Sequence, residues 1–397
     1  MSNDQVSTKR QAAARSPTWI TVAIVAAVAL IGLGAVILPT AGLILLGGLL
    51  ALAGVVVFNG PRIRTGFLVL ASLLLSFAAA EAFIGVLAEP PVNRSVAKTH
   101  VPNSWTVSDD VVGYRTRPGI SVEATATYGD EPVYRQTYTI EPSGARRTPG
   151  SAKTGPTYLF IGDSYVFGEG LADEQTVAAR FAAGLKSPAN VVNLGVVGYS
   201  PAHLVRAIES GLYDREVVGK VAAVVTWITR IHLPRLTGDG GWLGSSPRYE
   251  LDAQGKPRFT GSFNEYRWTH PAAGLDYLGR THLASVARAV RVDLERAQVP
   301  LYFALLAELR DKVRARYDAP LVVIYDWPET TGEGHDDPYY VPYFKDIKAL
   351  GVPMISVQRI MGPSLAEWKP WVIAHDNHPN AKLTDALAKE LLKVLGQ

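Results

Sequence analysis

The feature that most constrains the fold is a long stretch without charge near the start of the chain. No charged side chain occurs from Ser16 to Gly60, and Pro39-Thr40 interrupts this stretch near its middle. The two halves, Trp19–Leu38 and Ala41–Phe58, would each cover about 27–30 Å as helices, which is the hydrocarbon thickness of a bilayer. Backbone polar groups in lipid must be paired internally, so we predict two transmembrane helices joined by a two-residue hairpin.

A third apolar run, Gly66–Leu87, completes a predicted three-span region over residues 19–87. Basic residues favour the cytoplasmic side of a membrane. They cluster before the first span and between the second and third, as Lys9, Arg10 and Arg15 and then Arg62 and Arg64. We therefore expect a multi-pass protein of the cytoplasmic membrane. Residues 1–18 form its cytoplasmic tail, and everything after Leu87 lies in the periplasm or outside the cell.

Two features of the apolar region have an alternative interpretation. Trp19–Leu38 is also compatible with a cleaved signal peptide, but it is longer than a usual signal core and a second span follows almost at once. Glu81 is either a functional carboxylate within the third span or a residue close to the headgroups, and its position near the outer end favours the second interpretation.

The composition excludes several functional classes. The 397 residues are 48% hydrophobic and 19% charged, which excludes a disordered protein. The absence of cysteine excludes disulfides, thiolate metal sites and a cysteine nucleophile. Five of the 39 basic and three of the 36 acidic residues lie within residues 1–91, so the remainder is nearly balanced and contains no basic run. We therefore expect no nucleic-acid partner.

A linker and a small β-rich extension follow the membrane region. Residues 88–104 contain three prolines and no helical period, which predicts an extended linker. Within residues 105–150, Ser121–Tyr128 and Val133–Ile140 alternate as antiparallel strands do. Arg146-Arg147 beside them is either an anion site or a solvated turn, and we favour the turn.

Residues 151–397 alternate between strands and helices. Five short apolar runs have the pattern of strands buried on both faces: Thr157–Ile161, Asn190–Leu194, Val221–Ile228, Leu321–Tyr325 and Val352–Val357. Amphipathic segments between them predict helices capped by Asp173, over Leu278–Ala297, over Leu301–Tyr317 and after Pro379-Asn380, the last with a leucine stripe from Leu383 to Leu395. This alternation predicts an α/β fold with a parallel sheet and helices on both faces.

Candidate catalytic residues follow three of the predicted strands. Ser164 comes directly after the first strand, Gly198 follows the second, and Asp376 and His378 follow the fifth. Ligands of parallel sheets gather at the carboxyl ends of the strands, so we expect these residues to meet. A serine, a base, a carboxylate and glycine amides are the parts that nucleophilic acyl transfer requires. Each motif alone is common as a turn or a cap, and it is their joint placement that favours a catalytic site.

These motifs resemble the SGNH, or GDSL-type, hydrolase family. The resemblance covers residues 157–397 and rests on Gly162-Asp163-Ser164, on the block from Asn193 to Ser200 and on the block from Asp376 to Asn380. It implies a flavodoxin-like α/β/α sandwich that acts on ester bonds. By the resemblance Ser164 is the nucleophile, His378 the general base and Asp376 its partner. The backbone amides of Ser164 and Gly198 would hold the oxyanion.

The sequence departs from the family pattern in two places. A single residue separates Asp376 from His378 where two are usual, and His375 is a neighbouring second candidate for the base. The family's third block normally supplies an asparagine as an oxyanion donor, and this chain has none there. His232 is either a substitute donor, with help from Arg235, or a packing residue.

Other kinds of site have weaker support. His335-Asp336-Asp337 is typical of a polar loop rather than a metal site, and Gly150–Gly155 lacks the lysine of a phosphate loop. We therefore expect no metal and no cofactor. Five aromatic residues in predicted loops are candidates for stacking on sugars, although core packing is the favoured interpretation: Trp242, Trp268, Trp327, Tyr339 and Tyr340.

The resulting hypothesis is a membrane-anchored serine esterase whose substrate is an acyl or acetyl ester on an envelope glycan or lipid. Two alternatives remain open at this level. One is an O-acyltransferase that modifies an extracytoplasmic polysaccharide through the same serine. The other is a non-catalytic glycan-binding module on a decayed hydrolase scaffold, which the missing asparagine motivates. The sequence does not identify a protein partner.

Overall fold

The computed structural model describes residues 39–58, 60–87, 96–238, 241–269, 297–326, 344–362 and 365–397. These residues divide into two compact units, with the boundary between Asn93 and Arg94. The described part of the first unit consists of two apolar helices, α1 (Pro39–Val57) and α2 (Pro61–Leu87).

The packing between α1 and α2 uses small residues. A Cβ atom at Gly54 would lie 2.6 Å from the Phe67 ring, so the two helices approach closely at that point. Ala51 and Ala71 are buried, whereas several large apolar side chains on the same helices are exposed, among them Leu50, Val56, Leu73 and Phe83. Small residues between helices with large apolar residues outside is the pattern of helices that pack within lipid.

One helix in the described part of the chain, over Pro61–Phe83, is long and apolar enough to cross a membrane, and the apolar segment Ile44–Val57 is shorter. The predicted first span, Trp19–Leu38, lies outside the described residues. The predicted hairpin at Pro39-Thr40 is wrong for those two residues. They begin α1, since proline fits the first turn of a helix, where its missing N–H costs nothing.

The second unit contains twelve strands among the described residues: β1 (Ala97–Val101), β2 (Thr106–Asp109), β3 (Gly113–Thr116), β4 (Ser121–Tyr128), β5 (Glu131–Thr139), β6 (Thr157–Gly162), β7 (Asn190–Gly195), β8 (Val221–Ile228), β9 (Pro247–Leu251), β10 (Pro257–Ser262), β11 (Leu321–Tyr325) and β12 (Met354–Ser356). Its described helices are α3 (Ser164–Phe167), α4 (Val177–Gly184), α5 (Pro201–Ser210), α6 (His232–Leu236), α7 (Phe263–Thr269), α8 (Val299–Tyr317), α9 (Phe344–Ala349), α10 (Val357–Met361), α11 (Leu365–Trp368) and α12 (Ala381–Val394).

The centre of this unit is a five-stranded parallel sheet in the order β7-β6-β8-β11-β12. This is the 2-1-3-4-5 order of doubly wound folds, and it confirms the predicted α/β class with a parallel sheet. Strand β12 is shorter than the predicted Val352–Val357. It stops because Ser356 caps α10, its side chain accepting a hydrogen bond from the Arg359 amide.

Helices cover both faces of the sheet. On one face α5 and α8 pack against side chains such as Leu159 and Val224, and on the other α4, α10 and α12 pack against side chains such as Phe160 and Val225. Adjacent residues of one strand thus enter different core clusters, as the alternation of strand side chains requires. The predicted leucine stripe of α12 is buried through Leu391.

One helix prediction is wrong in its capping residue, and another falls mostly on residues that the structure does not describe. Asp173 does not cap α4. Thr176 does, accepting from the Ala179 amide, while Asp173 starts a separate 3₁₀ turn and pairs with Arg146. The predicted helix over Leu278–Ala297 lies almost entirely outside the described residues.

The extension is a three-stranded antiparallel sheet in the order β1-β4-β5, beside a β2–β3 hairpin. Strands β4 and β5 match the predicted pair closely. The prediction of a linker over residues 88–104 is wrong for Ala97–Val101, which pairs with β4 along its whole length. This pairing joins residues far apart in sequence, so no local pattern reports it.

Candidate active site

Ser164 lies at the carboxyl end of β6, an inner strand of the parallel sheet. Asp163 separates the strand from α3 and caps that helix, its side chain accepting a hydrogen bond from the Tyr165 amide at 3.0 Å. Aspartate is a favoured residue at such a cap because its carboxylate pairs an amide that the helix leaves unsatisfied. The cap fixes the first turn of α3, which holds the Ser164 side chain, only 3% exposed, at the edge of the sheet.

The neighbouring strand β7 approaches α3 closely. A Cβ atom at Gly195 would lie 2.2 Å from the backbone nitrogen of Phe167, so only glycine allows this contact. Asn193 joins the two elements: its side-chain amide donates to the Val166 carbonyl at 2.9 Å, and its oxygen accepts from the Gly195 amide at 3.0 Å. The turn that carries Ser164 is therefore fixed by β7 as well as by β6.

A chain of hydrogen bonds joins the three predicted catalytic side chains. His378 Nε2 lies 2.9 Å from Ser164 Oγ, and His378 Nδ1 lies 2.9 Å from Asp376 Oδ2. The structure thus brings together a hydroxyl, an imidazole and a carboxylate in the order that transfers a proton from the hydroxyl to the imidazole.

A tight turn before α12 places Asp376 and His378. Its ends are bridged, since the Ile373 amide donates to the His378 carbonyl at 2.8 Å, and Asn377 at its tip has φ +62°. His375, the alternative base, lies elsewhere: its ring stacks on Tyr128 with 3.9 Å between centroids. Of the two histidines, His378 is therefore the one that reaches Ser164.

Two further charged residues contact this chain of hydrogen bonds. Glu169 Oε2 lies 3.2 Å from His378 Nε2, the same nitrogen that faces Ser164. Lys98 Nζ, on β1, lies 2.9 Å from Glu169 Oε1 and 2.7 Å from Asp376 Oδ1. Sequence reasoning missed both residues. A carboxylate between Gly168 and Gly170 in the serine loop was a signal for Glu169, whereas nothing local indicated Lys98.

These charges determine the electrostatics of the site. Burial lowers the pKa of His378, but the hydrogen bonds and charges of Asp376 and Glu169 outweigh it and raise the pKa to about 9. Burial likewise opposes the charged form of Glu169, yet His378 and Lys98 lower its pKa to about 2. The pKa of Asp376 is also lowered, because the hydrogen bonds from His378 and Lys98 overcome burial. At neutral pH the favoured form of His378 is therefore the imidazolium, which lies between the carboxylates of Asp376 and Glu169.

Gly198, the predicted oxyanion donor, lies in a crowded turn with φ +89°. A Cβ atom there would lie 2.5 Å from the Tyr114 hydroxyl and 3.0 Å from Trp242 Nε1. Within the described residues, no backbone carbonyl accepts a hydrogen bond from the Gly198 amide. The assignment of Gly198 to an oxyanion site stays a prediction.

His232 and Arg235 both contact Asp163. His232 Nε2 lies 3.1 Å from Asp163 Oδ2 and its Nδ1 lies 3.5 Å from the Tyr302 hydroxyl, while Arg235 donates to the same carboxylate oxygen at 2.9 Å. Burial opposes the charged form of Asp163, but these contacts and the Tyr165 amide hold its pKa below the ordinary value. In this geometry the ring nitrogens of His232 face Asp163 and Tyr302, which supports a packing role rather than an oxyanion donor.

Arg146 holds the loop that follows the serine. Its buried guanidinium donates to the carbonyls of Phe167, Gly168 and Leu171 at 2.5–2.7 Å. It also lies 4.4 Å from the centre of the Tyr138 ring. The predicted solvated turn is therefore correct only for the exposed Arg147.

Of the predicted aromatic candidates, the structure describes the side chain of Trp242. It is 59% exposed beside Gly198, so its predicted core packing is wrong. The side chains of the other four aromatic candidates, and His335-Asp336-Asp337, lie outside the described part of the structure. Among the described residues, no group of three or more acidic or histidine side chains is arranged to hold a metal ion.

No protein-family model matches this chain, and no curated protein does. Solved structures do. One is of a lipolytic protein of the G-D-S-L family from Desulfitobacterium hafniense DCB-2, with 11% identity, a TM-score of 0.34, and coverage of 60% of this chain and 99% of that one. A catalytic mutant of an acetylxylan esterase from Geobacillus stearothermophilus has 14% identity, a TM-score of 0.36, and coverage of 62% and 95%.

A mutant of an acetyl-xylooligosaccharide esterase from the same source is similar at 17% identity, with a TM-score of 0.36 and the same coverage. The described parallel sheet has the strand order implied by the family resemblance of the sequence motifs.

Proposed function

We propose that the chain is a serine esterase of the SGNH type, with Ser164 as nucleophile, His378 as general base and Asp376 as the carboxylate that orients it. The observation that carries the proposal is the continuous hydrogen-bond chain from Asp376 through His378 to Ser164, with 2.9 Å at each step. Catalytic triads are recognised by this geometry and not by their positions in sequence. A decayed scaffold would have no need to keep all three groups aligned.

The reaction is a two-step acyl transfer. His378 Nε2 takes the proton of Ser164 as Oγ bonds to the ester carbonyl carbon, and the same proton passes to the leaving alkoxide as the C–O bond breaks. Water then attacks the acyl-serine, giving its proton to His378, and the acid is released as Ser164 regains a proton. Asp376 accepts the Nδ1–H bond and stabilises the imidazolium formed in each step.

Backbone amides are the proposed oxyanion donors. Ser164 begins α3, where the first amides of a helix have no partner within the helix. Gly198 would supply the second amide from the turn after β7. The exposed indole of Trp242 beside Gly198 offers a face on which the alcohol part of the substrate can stack.

The proposed setting is the outer face of the cytoplasmic membrane. Three spans over residues 19–87 would anchor the chain, and the basic clusters before and between them would leave residues 151–397, with the β extension, in the periplasm or outside the cell. The exposed apolar side chains of α1 and α2 support the anchor. At that location the proposed substrates are acyl or acetyl esters of envelope glycans or lipids.

The direct test is hydrolysis of a short-chain aryl ester by the full chain in detergent. Ser164→Ala should lower kcat by roughly 10³-fold or more. The matched control is Ser187→Ala, an exposed serine that precedes β7 at the opposite edge of the sheet, and it should leave kcat unchanged. Equal activity of the wild type and Ser164→Ala would refute the proposal.

The same preparation separates hydrolysis from transfer. With an acyl donor and a polysaccharide acceptor present, an esterase releases free acid at a rate independent of the acceptor. An O-acyltransferase would instead give acylated polysaccharide through the same acyl-serine. We expect free acid as the main product.

A further inference from the structure

Two charged residues without a role so far in the two-step reaction, Lys98 and Glu169, lie close to the proposed base. Glu169 Oε2 is 3.2 Å from His378 Nε2, and Lys98 Nζ bridges the other oxygen of Glu169 to Asp376. The Glu169 and Asp376 side chains are only 6% and 4% exposed. An interaction between charges at this separation is strong because little water screens it.

The position of Glu169 has a consequence for the proton on His378. A carboxylate oxygen accepts hydrogen bonds and does not donate them, so its contact with Nε2 is favourable only when Nε2 carries a proton. Ser164 can give up its proton only when Nε2 is bare. The Glu169 contact and the activation of Ser164 therefore require opposite protonation states of the same nitrogen.

Charge balance favours the protonated state. With a neutral imidazole, Lys98 faces two carboxylates and the cluster carries one net negative charge. With an imidazolium, the two cations balance the two anions in a buried space, where an uncompensated charge is costly. The wild-type contacts therefore stabilise a resting site in which His378 is already protonated.

We propose that Glu169 is a positioning residue that holds His378 in its protonated, non-basic form in the resting site, and that Lys98, from the first strand of the extension, limits how strongly it does so. This inference rests on the proposed function, since it concerns the base of that site. The inference adds a pH-dependent regulation of activity: the esterase becomes active as the Nε2 proton of His378 is lost to solvent, with water or hydroxide as the acceptor.

Other titratable groups near the cluster do not change this balance. They lie on three different elements: Tyr165 on α3, Tyr134 and Tyr138 on β5, and His100 on β1. Burial raises the pKa of the three tyrosines and lowers the pKa of His100, so all four are uncharged around neutral pH. The charge of His378 is therefore governed by Asp376, Glu169 and Lys98.

Glu169 also has a role after attack. When Oγ bonds to the carbonyl carbon, the Ser164 proton arrives on Nε2 and the imidazolium forms again. Glu169 stabilises that ion, as Asp376 does, until the proton passes to the leaving alkoxide. Loss of the carboxylate should therefore increase the fraction of active molecules at neutral pH and lower the rate of each active molecule.

The experiment measures the rate at which a fluorophosphonate probe labels Ser164 in the full chain, as a function of pH. The wild type should show a rate that rises toward a plateau with its midpoint near pH 9. Glu169→Gln should move the midpoint down by about one unit or more, so that the rate at pH 7 relative to the plateau rises about tenfold or more. Lys98→Met should move the midpoint up, because a cation near the imidazolium is removed.

Glu169→Gln and Lys98→Met should shift the midpoint in opposite directions, and this distinguishes the proposed role from a structural one. Damage to the fold would lower the labelling of both variants without moving the two midpoints apart. Glu169→Asp keeps the charge and should keep the midpoint closer to that of the wild type than Glu169→Gln does. Midpoints that coincide in the wild type and in both charge variants would overturn the inference while leaving the esterase intact.

A second readout does not depend on Ser164. The chain has eight histidines, and in full-length protein labelled with ¹³C-histidine the His378 signal is the one that His378→Gln removes. The midpoint of its titration should be lowest in Glu169→Gln, intermediate in the wild type and highest in Lys98→Met. If the probe labels nothing at any pH but this order holds, the proposed function fails and the Glu169 effect stands. An unshifted midpoint in Glu169→Gln overturns the effect.

Discussion

Lys98 Nζ lies 2.7 Å from Asp376 Oδ1, which joins the first strand of the extension to the turn before the last helix. Asp376 thus has two hydrogen-bonding partners, Lys98 on one oxygen and His378 on the other. The proposed active site therefore includes a residue from β1, the strand that begins ten residues after α2 in the sequence.

Replacing Asp376 with asparagine should impair catalysis far more than stability. The amide cannot hold the Nδ1–H tautomer of His378, and kcat for an aryl ester should fall by roughly 10³- to 10⁴-fold. Asp385→Asn is the matched control, because Asp385 is half-exposed on α12 and pairs with Lys389 one turn later. If the two variants have equal kcat, Asp376 has no part in the reaction.

Arg146→Met should destabilise the protein strongly. The change leaves the carbonyls of Phe167, Gly168 and Leu171 without their buried donor and should cost about 3–5 kcal/mol in the free energy of unfolding. Arg147→Met, at the exposed neighbour, should change it by less than about 0.5 kcal/mol. Denaturant unfolding measures both. A similar small effect at the two sites would contradict the role assigned to Arg146.

His232→Leu separates support of Asp163 from oxyanion stabilisation. Loss of the Asp163 contact should lower the free energy of unfolding by about 1–3 kcal/mol. Because Arg235 and the Tyr165 amide still hold Asp163, kcat should fall by less than about tenfold. An oxyanion donor would cost about 10²–10³ in kcat. A loss of that size in a variant of unchanged stability would show that His232 acts on the substrate.

The site also predicts how stability depends on pH. The pKa of His378 in the folded protein, about 9, is above its ordinary 6.5, so its contribution is complete below pH 6.5 and is lost as the pH rises through 9. The pKa of Glu169, about 2, is below its ordinary 4.5, so its contribution is present above pH 4.5 and is lost as the pH falls through 2.

Glu169→Gln tests the pH range over which the charges of Glu169 and His378 both contribute to stability. The difference in Tm between wild type and variant should be largest at about pH 5.5, where both charges are present, and smaller at about pH 9.5, where the imidazole loses its proton. Tm measured at the two pH values in one detergent checks it. A difference that grows toward high pH would mean that Glu169 does not pair with an imidazolium.

The parallel sheet, and the meeting of Ser164 with His378 at one edge of it, could be predicted from the sequence. Strands such as Val221–Ile228 and Leu321–Tyr325 are continuous apolar runs, and such runs are typical of strands covered on both faces. Because parallel strands end at one edge of a sheet, a serine after the first strand and a histidine after the last could be expected to meet. The structure places Ser164 and His378 in contact at that edge.

The contacts that depend on distant pairing could not be predicted. The segment Ala97–Val101 has no local pattern of a strand, and its position is fixed only by its register against β4. Lys98 enters the site through that register. Similarly, the residue type of His232 fits both an oxyanion donor and a packing residue, and only its contacts with Asp163 and Tyr302 distinguish them.

The capping residue of α4 could not be predicted from the sequence either. Asp173 and Thr176 are both favoured at helix starts, and the sequence alone does not rank them. In the structure the Asp173 carboxylate pairs with Arg146, and Thr176 caps α4. Charged residues of a loop therefore require the tertiary structure before a role can be assigned.

The activation of Ser164 by His378 is tested by locating the site of covalent labelling by a fluorophosphonate probe in the full chain. We expect one label per chain, on Ser164, with labelling slowed by orders of magnitude in His378→Gln. Labelling at a different residue, or labelling of Ser164 at the same rate in His378→Gln, would contradict this activation.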